Sequence, residues 1–550
     1  MINDARQLPP NFTIRCDICI VGSGFAGIAL AHELRDSAKD VVVLESGGNR
    51  VESRIQDLYK GEVVNPSTHG PLHLYRKRRF GGTTTWGGRC APFEDIDFEA
   101  RPYVPYSGWP ICKSDLDPYY VRAHEYCDLG AYSYEVRTSL PNQPVAMIPG
   151  FESEDVCTDR LWRFSLPTVF SKAFGSALRQ ARSLKVYLHA NCLRIVPQTN
   201  GRSVDHLEVA SSKNKRFTVI AKQFVLATGG LEAARLLLVS DSVHPEGIGN
   251  ERGLLGRFYM SHITGDLGEV LFTPKGAGLV WNYERTPDNV YCRRAIAIKE
   301  EKQRQDQLLN FRAILDHPPA ADPRHGSSIL SSLYLSKRYL AHRIPPEYSR
   351  ALSGMAPLQQ VSAHCTNIVK DFGNLTKFLN IWVRKRIFSK RKLPSVTLEN
   401  KSNIYTLHFD GEQSPNPESR VTLSDKRDAF GIRRLKVDWR CNDTDVQSVV
   451  RSCRLISSGL EQSGTGKMLF EPELLADRIR SMCTVGSHQN GTTRMASTPS
   501  QGVVDENCRV HGIENLYVAS SSVFATSGVA NPTLTIVALA IRLADYLRTV

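Results

Sequence analysis

The stretch "CDICIVGSGFAGIALAHEL", Cys16 to Leu34, decides how the rest of the chain is read. Cys16–Val21 is a mainly apolar run of the kind that forms a buried parallel strand. It stops at Gly22-Ser23-Gly24-Phe25-Ala26-Gly27, and an alanine- and leucine-rich helical segment follows. Gly22 permits the tight turn, Gly24 lets the backbone approach a pyrophosphate, and Gly27 lets helix and strand pack closely. The start of the helix then presents free N–H groups and a positive dipole to phosphate oxygens. Val41–Leu44 is a second apolar strand, ending at Glu45, 18 residues past Gly27. An acid at that point bonds a ribose hydroxyl. Strand, turn, helix, strand and acid in register predict a dinucleotide site, and the motif serves NAD and FAD alike. Cys16 and Cys19, a C-x-x-C inside the strand, read as packing residues rather than a redox couple.

The same pattern returns twice. "FTVIAKQFVLATGGLEAARLLL" (Phe217–Leu238) reads as strand, glycine turn and helix, and "VYLHANCLRIV" (Val186–Val196) before it reads as one more extended run. Near the end, Leu516–Ala519 is a strand, and a helix starts near Pro532, a residue favoured at that position. The expected organisation is therefore discontinuous. Residues 1–60, 181–265 and 481–550 build the nucleotide domain, 61–180 cover the cofactor and begin the second domain, and 266–480 form the substrate domain.

Composition narrows the classes. Of 550 residues 41% are hydrophobic and 23% charged, an ordinary globular balance. No run of about 18 apolar residues offers a membrane span, and the first residues lack a basic-then-apolar leader. Thirteen scattered cysteines are no disulfide framework and fit a reducing, cytoplasmic setting. The sequons at Asn11, Asn374, Asn400, Asn442 and Asn490 are then chance matches. The net charge is +13, and "RKRIFSKRK" (Arg384–Lys392), preceded by the apolar "FLNIW", carries six of the basic residues. Such a segment is either a solvated face or a contact with an anionic membrane surface or acidic protein. Zinc spacing and nucleic-acid motifs are absent, which argues against nucleic-acid binding.

Further blocks then fall into line: "RRFGGTTTWGGRCAPF" (Arg78–Phe93), "GWPICKSDLDPYY" (Gly108–Tyr120, with Ser114 expected to cap a helix), "GLLGRFYMSHI", "SHQNGTTRM" (Ser487–Met495) and "GVANPTLTIVALA". With the glycine turn, their order resembles the glucose–methanol–choline (GMC) family of FAD-dependent oxidoreductases. The ending is most similar to the pyranose-oxidase and sugar-dehydrogenase branch. The resemblance implies an α/β fold: a discontinuous Rossmann-like FAD-binding domain plus an α+β substrate domain with an antiparallel sheet. It implies FAD contacts at Gly22, Gly24, Gly27, Glu45, Gly82, Thr83, Thr85, Trp86, Cys192, Ala227, Gly229, Ser520, Ser521, Pro532 and Thr533. Thr85 stands where pyranose oxidases have the histidine that bonds flavin, so FAD is expected to be noncovalent. Ser520 stands where many members have an aspartate.

The resemblance also implies the chemistry. Oxidation of an alcohol removes a hydride, here to flavin N5, and a hydroxyl proton. His488 is the expected proton acceptor, since an imidazole titrates near neutrality, and Asn531 is expected to hold the same oxygen. No second ligand stands at metal spacing around His488, and His262 in "YMSHI" is a second candidate near the flavin. The expected function is oxidation of a CH–OH group of a sugar or glycoside. The alternatives are a non-sugar alcohol, sterol or aliphatic, and a flavin-binding protein without catalysis. Oxygen, a quinone, a cytochrome or another protein stays open as electron acceptor, and nothing in the sequence sets an oligomeric state.

Overall fold

The computed structural model describes residues 1–83, 88–166, 168–276, 278–340, 358–394, 403–482 and 486–550. Thr13–Val21 runs parallel to Val41–Leu44 on one side and to Lys215–Leu226 on the other. Leu184–Leu188 and then Ile2–Asp4 extend the sheet in parallel beyond Val41–Leu44. Ile18–Val21 and Val41–Leu44, at the centre of this sheet, are buried throughout, as two-faced coverage by helices requires. Lys215–Leu226 is long enough to serve twice. Its first residues pair antiparallel with Val204–Ser212, and Phe224–Leu226 pair parallel with Leu516–Val518. The end of the chain thus returns to the sheet that its beginning started.

The run Val186–Val196 is two strands rather than one. Leu184–Leu188 lies in the parallel sheet, and Asn191–Pro197 turns into an antiparallel pair with Val204–Ser212. His189 breaks the run with φ 55°, and its ring nitrogens contact Asp4 (3.2 Å) and Glu52 (2.7 Å), which fix the bend. Helix Lys113–Tyr126 also differs from expectation. Its cap is Cys112, whose N–H donates to the Asp115 carboxylate at 2.8 Å, so Ser114 falls inside the first turn. That reciprocal bond outcompetes a serine hydroxyl. Asn490 is fully buried, which closes that sequon to a glycan. The described cysteines are all free.

The second sheet is antiparallel, in the order Gly466–Leu469, Ile263–Phe272, Ile404–Gly411, Phe311–Asp316, Tyr291–Ile298, Val156–Phe164 and Arg89–Cys90. Ile263 and Phe311 both pair with Gly411. This register brings His262, Asn310 and Glu412 to one end of the sheet.

Helix Phe25–Leu34 packs against the C-terminal helix Thr533–Thr549 and lies tightly on the first strand. A Cβ at Gly27 would stand 1.9 Å from the Gly22 carbonyl oxygen, and one at Gly22 2.5 Å from the Ala227 carbonyl oxygen. Gly27→Ala is therefore expected to destabilise the protein by on the order of 2 kcal/mol, read as a lower denaturant midpoint. An unchanged midpoint would show that the crossing relaxes freely.

Candidate active site

A cleft opens where the parallel strands end. Gly22, Gly24 and Glu45 line it from the first βαβ turn, Gly82 and Thr83 from the next loop, and Cys192, Ala227, Gly229 and Ser520 from the later returns. A Cβ at Gly24 or Gly229 would meet nothing within 4 Å, so both open onto space. The Thr228 hydroxyl is buried on this wall without a partner among the described residues. The Glu45 carboxylate accepts bonds from Ser23 N (3.1 Å), Ser23 Oγ (2.6 Å) and Gly47 N (2.8 Å), and burial raises its pKa. It thus braces the glycine turn as well as facing the cleft. Burial also pushes the Cys192 thiol up to about 12, so it is unreactive.

The outer wall holds a cluster that the sequence did not reveal. Arg76 and Arg78 bond the two oxygens of Glu232 at 3.0 and 2.7 Å, and both guanidinium groups lie over the Tyr59 ring. Arg235 bonds Glu232 and Asp428. Burial alone would raise the Glu232 carboxyl, but Arg78, Arg235 and Arg76 bring it down to about 2.

Next to Gln489, which lines the cleft, stands His488. Residues 487–495 are sewn between two others. Asn490 and Met260 exchange backbone bonds, and Gly491, Thr493 and Met495 donate to Ser521, Ser522 and Val523 carbonyls. Gly491 is needed here because a Cβ would stand 2.1 Å from the Phe258 carbonyl oxygen. The close approach there is by the chain's own backbone. His488 itself is held at φ 56°, a left-handed conformation that costs a non-glycine residue of order 1 kcal/mol.

His488 Nδ1 lies 3.1 Å from His262 Nδ1, and His262 Nε2 lies 3.3 Å from the Ser527 carbonyl oxygen. A carbonyl accepts only, so His262 carries its proton on Nε2 and offers a lone pair at Nδ1. His488 then donates through Nδ1–H, and its Nε2 is left with a free lone pair. Burial, and then His262, lower the His488 pKa to about 3, and burial lowers that of His262, so both rings are neutral at pH 7. Behind them Asp410 pairs with Arg89 at 2.8 Å; burial would raise the Asp410 carboxyl, but Arg89 and then His408 bring it to about 2.

Gln413 organises this pair. Its backbone N–H donates to Ser527 Oγ (2.9 Å), and its Oε1 accepts from Ser261 N (2.9 Å) and Trp439 Nε1 (2.8 Å). It therefore holds the residue before His262 and the residue that receives the His262 proton. Asn531 is buried, and its Oδ1 has no partner among the described residues. No hydrogen bond joins it to either imidazole.

Known proteins resemble this chain at both ends and along most of its length. Residues 415–540 match the family model of the GMC oxidoreductases, and residues 20–57 match an NAD(P)-binding Rossmann-like domain. The fructose dehydrogenase large subunit of Gluconobacter japonicus is 23% identical over 97% of this chain and 98% of its own. The 2-methyl-1,2-propanediol dehydrogenase of Mycolicibacterium austroafricanum is 22% identical over 96% and 95%. A formate oxidase structure superposes with a TM-score of 0.53 at 15% identity, over 98% of this chain and 99% of its own.

The stretch 415–540 is a GMC oxidoreductase C-terminal domain.

The family implies FAD, and the residues fit it: a glycine cradle that opens onto space at Gly24 and Gly229, an acid at the second strand end, and an unpartnered hydroxyl on the wall. Several predicted contacts lie off the lining of this cleft. Gly27 is consumed by helix–strand packing. Ser521 Oγ bonds the Gln489 carbonyl at 2.6 Å, Pro532 caps the last helix, and Thr533 begins it. Thr85 and Trp86 lie outside the described residues. His262 is brought into contact with His488. Arg494 is buried, with one bond to the Tyr106 carbonyl (2.7 Å) and its guanidinium over Phe258. Gly24→Ala should leave the denaturant midpoint of the cofactor-free protein unchanged but raise the FAD dissociation constant roughly tenfold, the effect of about 1.4 kcal/mol of lost contact. Equal affinity by fluorescence titration would show that no ligand passes Gly24.

Proposed function

We propose that this chain is a GMC oxidoreductase that oxidises a CH–OH carbon of a sugar or glycoside, with His488 as the base that receives the hydroxyl proton. The observation that carries this reading is the imidazole pair, which leaves one lone pair of His488 free and leaves that ring neutral. FAD, when bound, supplies the acceptor for the hydride. This chain's residues do the rest. His488 Nε2 takes the proton, and His262 holds the ring in the tautomer that can do so. Asn531, buried in the same region, is assigned the orienting role, its side-chain amide N–H donating to the hydroxyl oxygen. Fixed placement of this kind carries a large part of the rate in enzymes.

The substrate class rests on the full-length relatives, one named for a sugar and one for a vicinal diol. The charged pair Arg89–Asp410 behind the imidazoles also suits a polyhydroxylated substrate better than a sterol. FAD is held noncovalently in this reading, because a threonine at position 85 offers no ring nitrogen for a flavin bond. The free thiols fit a cytoplasmic protein.

Two measurements test the catalytic reading. His488→Ala should keep its flavin but lose roughly 10²–10⁴-fold in anaerobic bleaching by sugars and glycosides; unchanged bleaching would remove His488 from the base role. The pH profile tests His262. With the His488 pKa lowered to about 3, the base stays unprotonated through mild acid. The rising limb of kcat/KM should therefore lie well below pH 6.5. His262→Ala removes one cause of the lowering and should move the limb toward pH 6.5, a shift that a purely structural role would not produce. Acid precipitation should release all the flavin into the supernatant, and a yellow pellet would refute noncovalent binding.

A further inference from the structure

Phe311–Asp316 and Ile404–Gly411 are antiparallel neighbours in the second sheet. Strands so placed are normally joined by about 2–5 residues. Here everything from residue 317 to residue 403 lies between them. The described part contains helices Ser328–Leu340, Leu358–Lys370 and Phe372–Trp382, and the last continues as a π-helical turn, Val383–Phe388. These helices have a small core of their own. Leu375 and Phe378 pack on Ile329, Leu330 and Tyr334, and Asp371 is bonded by Ser328. Arg391 donates to the Asp128 carbonyl at 3.0 Å, and Leu393 packs on the main core, so the insertion is moored at its far end.

Beyond that inner packing, the described part of the insertion keeps large apolar side chains exposed. Of eighteen exposed large hydrophobic residues in the described chain, six fall between 369 and 388: Val369, Phe372, Leu379, Ile381, Trp382 and Phe388. Phe388 is 78% exposed and Phe372 58%. Interleaved with them are Lys377 and the six basic residues of Arg384–Lys392, while residues 372–394 contain no acid. Lys377, Arg384, Lys385, Lys390 and Lys392 make no ion pair with a described residue. Exposed aromatic and aliphatic side chains among cations that have no acidic partner among the described residues are the composition of a segment that lies in a lipid interface. Lysine is depleted in the cores of protein–protein interfaces, and four of these seven cations are lysines. Anionic headgroups attract such clusters, and the attraction adds to apolar insertion. No described helix is long and apolar enough to cross a membrane, so the contact is peripheral.

We propose that the face formed by Phe372–Lys392 docks the enzyme on an anionic bilayer surface, with Phe372, Leu379, Ile381 and Phe388 entering the interface and the flanking lysines and arginines meeting lipid phosphates. The test is co-sedimentation of the full-length flavoprotein with vesicles of phosphatidylcholine alone, and with about a third phosphatidylglycerol. Binding should rise at least about tenfold with the anionic lipid and fall steeply with salt. Lys377→Glu/Arg384→Glu/Lys385→Glu should abolish it. Leu379→Ser/Phe388→Ser should weaken it by about tenfold or more and leave the salt dependence in place. Both variants should retain the parent melting temperature and solution activity. Equal binding to neutral and anionic vesicles, or parent-like binding by the charge-reversal variant, would overturn the proposal. So would failure to bind any vesicle; if the parent then bound a polyanionic protein in a salt-sensitive way, the face would belong to an acidic partner instead.

Discussion

The position of the two imidazoles depends on one buried amide. Gln413 spends its backbone on Ser527 and its side chain on Ser261, Trp439 and Arg440. One of these contacts fixes the residue before His262. Another fixes the residue whose carbonyl orders the His262 proton. Gln413 is in turn set by Glu412, whose carboxylate pairs with Arg101 at a site where both side chains are almost wholly buried. A buried ion pair is weak evidence for stability, since desolvation offsets most of its attraction. Its geometric effect is clearer: the last strand residues cannot slide without leaving a charge unpaired. Glu94, Asp97, Asn310 and Arg312 extend the same network, and Asn310 bridges Glu94 and Asp97 at 2.8 and 3.0 Å. Burial, then Glu412 and Glu94, push the Asp97 carboxyl up to about 8, so one carboxyl of the group is kept protonated and the net charge is contained. The Asp97 carbonyl accepts from Thr526, next to Ser527. Through these bonds the second sheet governs a loop that the first sheet carries.

A neutral base follows from this rigidity. An imidazole in solution is partly protonated near neutral pH. Here burial and the neighbouring His262 ring both penalise the cation, and Asp410 opposes them only in part because Arg89 already neutralises it. In the proposed reaction, a proton taken from an alcohol would therefore be held weakly by His488. A low basicity lowers the driving force for abstraction, but it also frees the base for the next turnover, and the alcohol's own acidity rises where a fixed amide bonds its oxygen.

The architecture was legible where it is local. Cys16–Glu45 carries strand, turn, helix and acid within thirty positions, and each step has its own residue-level signal, so the cleft's first wall could be read directly. The His488 block and the "GVANPT" block could be found as motifs. What could not be read is held by distant contacts. His262 and His488 lie 226 positions apart, and nothing near either residue announces the other. Gln413 has no signal at all in its own neighbourhood; its role exists only once three segments meet. The Arg76–Arg78–Glu232–Tyr59 cluster had a visible half, the basic run before the "RRFGG" block, but a basic run ordinarily reads as solvated surface. His189 misled for a physical reason: a polar residue inside an apolar run still alternates like a strand, and only its ring contacts to Asp4 and Glu52 disclose the bend.

The second sheet also separates chemistry from location. On strand Ile404–Gly411, Asp410 faces the imidazole pair, while Ile404 receives the chain from the insertion, about 20 Å away at the rise of an antiparallel strand. Phe311–Asp316 runs the other way, with Phe311 at the site end and Asp316 at the insertion end. Both connections of the insertion therefore leave the sheet at the edge remote from His488. An insertion placed there can vary in length, charge or hydrophobicity without disturbing the register that aligns His262, Asn310 and Glu412. The central pair keeps an unbroken register from Phe311 opposite Gly411 at the site end to Asp316 opposite Thr406 at the insertion end. A surface that positions the enzyme on a bilayer and a site that oxidises an alcohol can then be tuned independently, and a docked enzyme would keep the solution chemistry of a free one.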